Sequence, residues 1–201
     1  DLAVYHQPTQ RPADLSPDRC NLVFVGRLDK RKGFIELLHA IKALPQKTRE
    51  KIMLHVIGAG PLETIGRTFI SEASLSTFVQ LHGRLPELEK IAYLQHGDIF
   101  VAPSLAGERF GIVLTEAMAA GLPIICGNNT GYAETMRDYP DQSLVLDPSK
   151  PRVFARAIQK LVDDSKLRSE LALWGKSEVK QYDINRIVEL HISLYQRLLA
   201  R

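Results

Sequence analysis

Short apolar runs alternate along this chain with longer segments of helical periodicity. The runs at 22–25, 52–57, 78–81, 99–101, 123–126 and 143–146 have the length and the branched or aliphatic content of strands. Between them, Phe34, Leu37, Leu38 and Ile41 recur at helical spacing, as do Leu88, Ile91, Ala92 and Gln95 to a weaker degree. Runs that are apolar on both faces suit strands covered by helices on each side, which predicts an α/β fold built on a doubly wound parallel sheet. In such a sheet ligands bind beyond the carboxyl ends of the strands. The last fifty residues predict extra C-terminal helices, each with one buried face. Val153, Phe154, Ala157, Ile158, Leu161 and Val162 form one stripe, and Ile184, Ile187, Val188, His191, Leu194, Tyr195 and Leu198 another; Leu167, Leu171 and Trp174 mark a helix between them that ends near Gly175.

Residues 1–21 hold Pro8, Pro12 and Pro17 among polar residues and read as a linker, leaving 22–201 as one domain. The first residue is Asp1 rather than Met, so the expectation is a piece of a longer protein whose preceding part has been removed. A length of 201 residues with 45% hydrophobic content suits a single packed core. A formal charge of +3, with the basic residues dispersed, gives no general case for nucleic acid, so any basic site must be local. Cys20 and Cys126 form no C-x-x-C pair and read as free thiols in a reducing compartment. No run approaches the roughly 20 residues of a membrane span, and no signal-peptide pattern opens the chain, so the expected location is the cytoplasm.

Candidate chemistry gathers after the strands. The first run leads into Gly26-Arg27-Leu28-Asp29-Lys30-Arg31-Lys32-Gly33, with four basic side chains ahead of a helix. Backbone at a glycine, free helix N–H groups and a guanidinium or ammonium together make an anion site, with Arg27 and Lys32 beside the glycines as its candidates; the plain alternative is a solvated basic loop. The second run ends in Gly58-Ala59-Gly60-Pro61, a βα turn lacking the third glycine of a dinucleotide fingerprint, since Glu63 stands there. The third ends in His82-Gly83-Arg84-Leu85, a loop against which a flat base could lie.

The densest signal runs from Gly107 to Gly121, where Glu108 and Glu116 stand in apolar company. On one straight helix they would be about 12 Å apart along the axis. Phe110-Gly111 reads instead as the start of a helix near Ile112, leaving Glu108 in the loop and Glu116 about one turn inside. Two carboxylates on either side of a helix N-terminus fit a ligand with phosphates in the middle and hydroxyls at both ends, as in a nucleotide sugar. An ion pair with a core arginine for Glu116, and a solvated charge for Glu108, are the structural alternatives.

These motifs in this order resemble the C-terminal, donor-binding domain of a family 4 retaining glycosyltransferase of the GT-B fold, over residues from about Leu22 to Leu199. The resemblance rests on the G-R-L…K-G loop, the G-x-G-P turn, Ala102-Pro103-Ser104, the E-x7-E signature followed by Ala117-Met118-Ala119-Ala120-Gly121-Leu122-Pro123, and Gly131 with Glu134. It implies that Arg27 and Lys32 bind the donor diphosphate, Glu116 the ribose and Glu108 the transferred sugar, with Glu108, Arg27 and Lys32 as the catalytic set. Gly26, Gly58, Gly60, Phe110, Gly111 and Ile112 would complete the donor site, and Arg84 and Leu85 would border the base. It implies a donor such as GDP-mannose or UDP-glucose, no cofactor or metal, an acceptor bound by a missing N-terminal domain, and peripheral membrane association at the inner face where the acceptor is a lipid. No D-x-D triplet and no histidine pair at zinc spacing occurs, in keeping with metal-independent chemistry. Competing readings are a nucleotide-sugar epimerase, a noncatalytic nucleotide-sugar binding module, and an anionic-surface or nucleic-acid binder using Lys30, Arg31 and Lys32.

Overall fold

A computed structural model describes residues 2–199. Its six strands are β1 (Cys20–Val25), β2 (Ile52–Ile57), β3 (Val79–Gly83), β4 (Ile99–Ala102), β5 (Ile124–Gly127) and β6 (Val145–Leu146). All pair in parallel, in the order β3-β2-β1-β4-β5-β6. The sheet is the doubly wound one predicted. The helices are α1 (Phe34–Ala43), α2 (Gln46–Arg49), α3 (Glu63–Glu72), α4 (Glu87–His96), α5 (Ile112–Ala120), α6 (Thr130–Thr135), α7 (Pro151–Asp163), α8 (Ser165–Glu178) and α9 (Ile184–Leu199). None of them is long and apolar enough to cross a membrane.

Parallel strands buried on both faces need the continuous apolar runs seen here, and Leu22, Val23, Leu54, Ile99, Phe100, Val101 and Ile125 are all fully enclosed. The strand order reverses between β1 and β4, because the connection through α1 leads outward to β2 whereas α4 carries the chain back past β1. The crevice between their carboxyl ends is therefore the expected ligand position. Gly58 shapes its rim: at φ +134° it adopts a conformation open to glycine, and a Cβ there would lie 1.9 Å from the carbonyl oxygen of Gly26. The turns after β1 and β2 can touch only because that atom is missing.

Several details differ from the sequence pattern. β1 starts at Cys20, ahead of its apolar run, because Cys20 N–H already reaches the carbonyl of Lys51 at 2.7 Å. β3 extends to Gly83 because it stays paired with β2 across an irregular register after Val56. Leu88 and Val153 face outward. α8 continues past Gly175 to Glu178, with Gly175 buried at a close approach to Met118. The largest difference is α9, in which no residue is buried: Ile184, Val188, Leu194, Tyr195 and Leu198 are all exposed. Periodicity identifies an apolar face but not what covers it. The leading segment is packed rather than free, with Tyr5 and Leu15 entering the core.

That segment is joined to the sheet by a polar network that the sequence pattern did not reveal. Asn21 donates through Nδ2 to the carbonyls of Ser16 and Arg19 and to Asp98, which turns its Oδ1 toward His55 Nε2 at 3.3 Å. His55 thus holds its proton on Nε2 and accepts on Nδ1 from His82 Nε2 at 3.1 Å. His82 Nδ1 faces Tyr93 and Asp14, and Tyr93 donates to Asp14 at 2.7 Å. Asp14, His55 and His82 have ligand atoms close enough to hold a metal ion. The ring nitrogens between the two histidines are already engaged with each other.

Burial lowers both imidazoles, His55 to about 4 with His82 opposing its charge, and His82 less fully because Asp14 pulls the other way. A histidine whose folded pKa lies below its unfolded 6.5 leaves the native state short of protons in acid. Its stability contribution is present above pH 6.5 and is lost as the pH falls toward about 4. Denaturant midpoints should accordingly drop between those pH values, and His55→Gln, although less stable at neutral pH, should show a flatter dependence.

Candidate functional site

Two loops build the crevice. After β1, Asp29 organises the basic turn: its Oδ1 accepts the Lys32 N–H at 3.1 Å and its Oδ2 the Arg31 guanidinium at 3.2 Å. Burial would raise the Asp29 carboxyl, but these hydrogen bonds outweigh it and the pKa falls. The loop after β4 docks directly onto this turn. Leu105 N–H donates to the carbonyl of Arg31 at 2.7 Å, and Ser104 Oγ donates to the same carbonyl at 3.0 Å.

Docking brings the expected charges together. Lys32 Nζ lies 2.6 Å from Glu108 Oε1, and Ser104 Oγ also reaches that oxygen at 2.7 Å. Both partners are mostly enclosed, with side-chain exposures of 27% for Lys32 and 11% for Glu108, so the pair is more than a surface contact. Arg27 is the opposite case. Its side chain is 65% exposed and stands 3.6 Å from Asp29, free to swing toward a ligand.

Gly111 starts α5 at φ +80°, and a Cβ there would press within 2.7 Å of the buried Tyr132 ring. This left-handed start turns the chain so that the N–H groups of Ile112 and Val113 precede the first hydrogen bond of the helix, from Leu114 to Gly111. Glu108 stays in the loop and Glu116 lies one turn inside the helix, as the sequence predicts. Phe110 is partly exposed and packs edge-on against Tyr182, while its carbonyl accepts from Thr135 Oγ1 at 2.6 Å.

Glu116 is held by two groups that local sequence does not indicate. Lys90, from α4, donates to Glu116 Oε1 at 3.0 Å and to Glu87 at 2.8 Å. Burial would lower the Lys90 ammonium, but the two carboxylates prevail and its pKa rises. The Tyr5 hydroxyl also hydrogen-bonds Glu116; burial first, then this carboxylate, raises the phenol above its ordinary value. The partner of Glu116 is thus a lysine from a different helix rather than the core arginine considered from the sequence.

A cleft of about 410 Å³ unites Gly26, Arg27, Lys32, Glu108, Phe110, Gly111, Ile112 and Glu116, together with Arg109 and Val113. That volume lies within the usual range for small-molecule sites. Three larger depressions, of about 820, 760 and 870 Å³, lie elsewhere and contain none of these residues. Gly58, Gly60, Arg84 and Leu85 do not line the cleft. The two glycines shape the neighbouring turns, and Arg84 and Leu85 follow β3 at the far edge of the sheet. Sequence reasoning missed Lys90 and Tyr5 as partners of Glu116, and Arg109 as a lining residue. Ser104 was visible only as part of a motif.

The paired arrangement around Glu116 can be tested. Lys90→Met should leave a largely enclosed carboxylate short of its partner and lower stability by about 1–3 kcal/mol. In a double-mutant cycle with Glu116→Gln, denaturant unfolding should return a coupling of about 0.5–3 kcal/mol; additive losses would mean that the ion pair contributes nothing.

The family described as Glycosyl transferases group 1 matches residues 7–177. Phosphatidyl-myo-inositol mannosyltransferase of Mycobacterium leprae is 28% identical over 176 residues, which are 87% of this chain and 46% of the relative. Sucrose-phosphate synthase from Thermosynechococcus elongatus superposes with a TM-score of 0.78 at 26% identity, over 100% of this chain and 51% of that one. Anabaena Alr3699/HepE in complex with UDP and glucose superposes with a TM-score of 0.79 at 19% identity, over 100% of this chain and 55% of that one. The chain spans about half the length of the curated relatives it matches.

Proposed function

The chain belongs to the glycosyl transferases group 1, and from that premise we propose that it is the donor-binding domain of a retaining hexosyltransferase that uses a nucleotide-diphosphate sugar without a metal. The observation that carries this reading is the cleft itself, where Lys32 and Glu108 on one side and Glu116 on the other flank the N–H groups at the start of α5, which have no partner among the described residues. In the bound state the diphosphate lies at the helix N-terminus, between Arg27 and Lys32. Glu116 accepts from the ribose hydroxyls. Glu108 accepts from the sugar with Oε2 while its Oε1 keeps Lys32 in place.

As the bond from the anomeric carbon to the diphosphate breaks, negative charge grows on the departing phosphate oxygen. Arg27, Lys32 and the N–H groups of Ile112 and Val113 stabilise that charge with donors already in position. This is the function a metal ion serves in other sugar transferases. The acceptor binds to an N-terminal domain of the same protein, in keeping with the half-length match to the relatives, and the exposed apolar face of α9 is the surface left for that domain to cover. The curated relatives named as mannosyltransferases favour a mannosyl donor, and the UDP and glucose held by the Anabaena protein favour a glucosyl one.

Calorimetric titration against nucleoside diphosphates and their sugars, GDP-mannose and UDP-glucose among them, decides between these donors and needs no acceptor. Glu116→Ala should weaken nucleotide-sugar binding by about tenfold or more, from the loss of a charge-assisted hydrogen bond, with an unchanged circular dichroism spectrum. Undiminished affinity would remove the ribose assignment. The 201-residue chain alone should bind donor yet transfer at near-background rate, and appreciable turnover in a radiolabel assay would contradict the need for a second domain.

A further inference from the structure

A second charged site lies on another face of the molecule. The groove between α1 and α7 encloses about 870 Å³ and is lined by His39, Lys42, Lys150, Arg152, Arg156 and Gln159, with alanine and proline surfaces between them and no carboxylate. It shares no residue with the cleft at α5.

The placement of these bases runs against local physical chemistry. Lys150 and Arg152 stand at the start of α7, where the helix dipole disfavours cations, and the first turn contains no acid. Arg152 and Arg156 are four residues apart on the same helix, where like charges repel. Neither arginine makes an ion pair or hydrogen bond with any described residue, and Lys42 has only the Phe69 ring, 5.6 Å from its ammonium. Asp147 lies 3.6 Å from Lys150 at the rim and already accepts from both N–H and Oγ of Ser149.

The other half of the same helix obeys the ordinary rules. There Lys160 is paired with Asp141, and Asp163 with Lys51. Packing of Phe154, Ala157, Ile158 and Leu161 sets the rotation of α7 and sends the arginines outward. It does not require them to be arginines. One kind of ligand relieves all of the conflicts at once, namely an anion with more than one charged group.

We propose that this groove binds a soluble molecule carrying two or more phosphate groups. Guanidinium groups recognise phosphate in bidentate fashion, and Arg152 and Arg156 are spaced by about 6 Å along the helix, so they address successive groups of an extended anion. A concave groove receives a discrete molecule of this kind, whereas a flat bilayer surface would meet only its rim.

The test titrates inorganic tripolyphosphate into the 201-residue chain at about 0.15 M salt, where loose surface attraction is screened. Saturable binding should weaken by about tenfold or more when Arg152→Glu and Arg156→Glu are combined. The milder Arg152→Gln with Arg156→Gln should give a smaller loss in the same direction, with circular dichroism unchanged in each. Lys166→Glu, on the exposed face of α8, should leave this binding intact, and the component that depends on the two arginines should persist in Lys32→Ala, which removes a phosphate contact of the other cleft. Absent binding, or affinity that follows Lys32 instead of the two arginines, would overturn the proposal. So would tighter arginine-dependent binding to phosphatidylglycerol vesicles than to tripolyphosphate, which would make the groove a membrane contact.

Discussion

The docking of the loop after β4 onto the turn after β1 is the contact on which the crevice depends. Both the Leu105 N–H and the Ser104 hydroxyl converge on the carbonyl of Arg31, fixing two segments more than seventy residues apart in the chain. Gly33 allows this approach, since a Cβ there would fall 1.8 Å from the carbonyl oxygen of Pro103. Once the loops are joined, Lys32 and Glu108 have little freedom but to meet, and Ser104 stands ready to share Glu108 Oε1. The sheet contributes the opening by reversing its strand order; the loop contact determines which side chains surround it.

The electrostatics of the cleft follow one rule. Each carboxylate is tied to a lysine from a distant element: Glu108 to Lys32 of the first loop, and Glu116 to Lys90 of α4. A mostly buried carboxylate without a partner would be expensive, and a carboxylate satisfied on every lone pair would have nothing left for a ligand. One bridging lysine per carboxylate meets both conditions. The Tyr5 hydroxyl adds the leading segment to this arrangement, so that the part of the chain before β1 touches the cleft as well as the His55–His82 network.

Elsewhere the surface departs from the ordinary in two places, and the departures differ in kind. α9 exposes an apolar face. The groove beside α7 exposes Arg152 and Arg156 with no counter-charge paired to them among the described residues. An isolated fold gains nothing from either, since both leave favourable contacts unmade.

Local features carried much of this in the sequence. The alternation of short apolar runs with helical periodicity was enough for the α/β class and the positions of the strands, because a buried parallel strand must be apolar on both faces. The separation of Glu108 in a loop from Glu116 in a helix was legible for a similar reason: Gly111 marks a turn that other residues resist. Tertiary structure decided what involves segments far apart in the chain. Nothing near Glu116 announces Lys90 or Tyr5, nothing in the β2 pattern announces that His55 will meet His82 and Asp14, and the stripe on α9 reads the same whether covered or bare. Backbone preference and burial act over a few residues and leave a local trace. Charge pairing and face coverage depend on which segments the completed fold brings side by side, and that is decided only when the sheet has closed around its core.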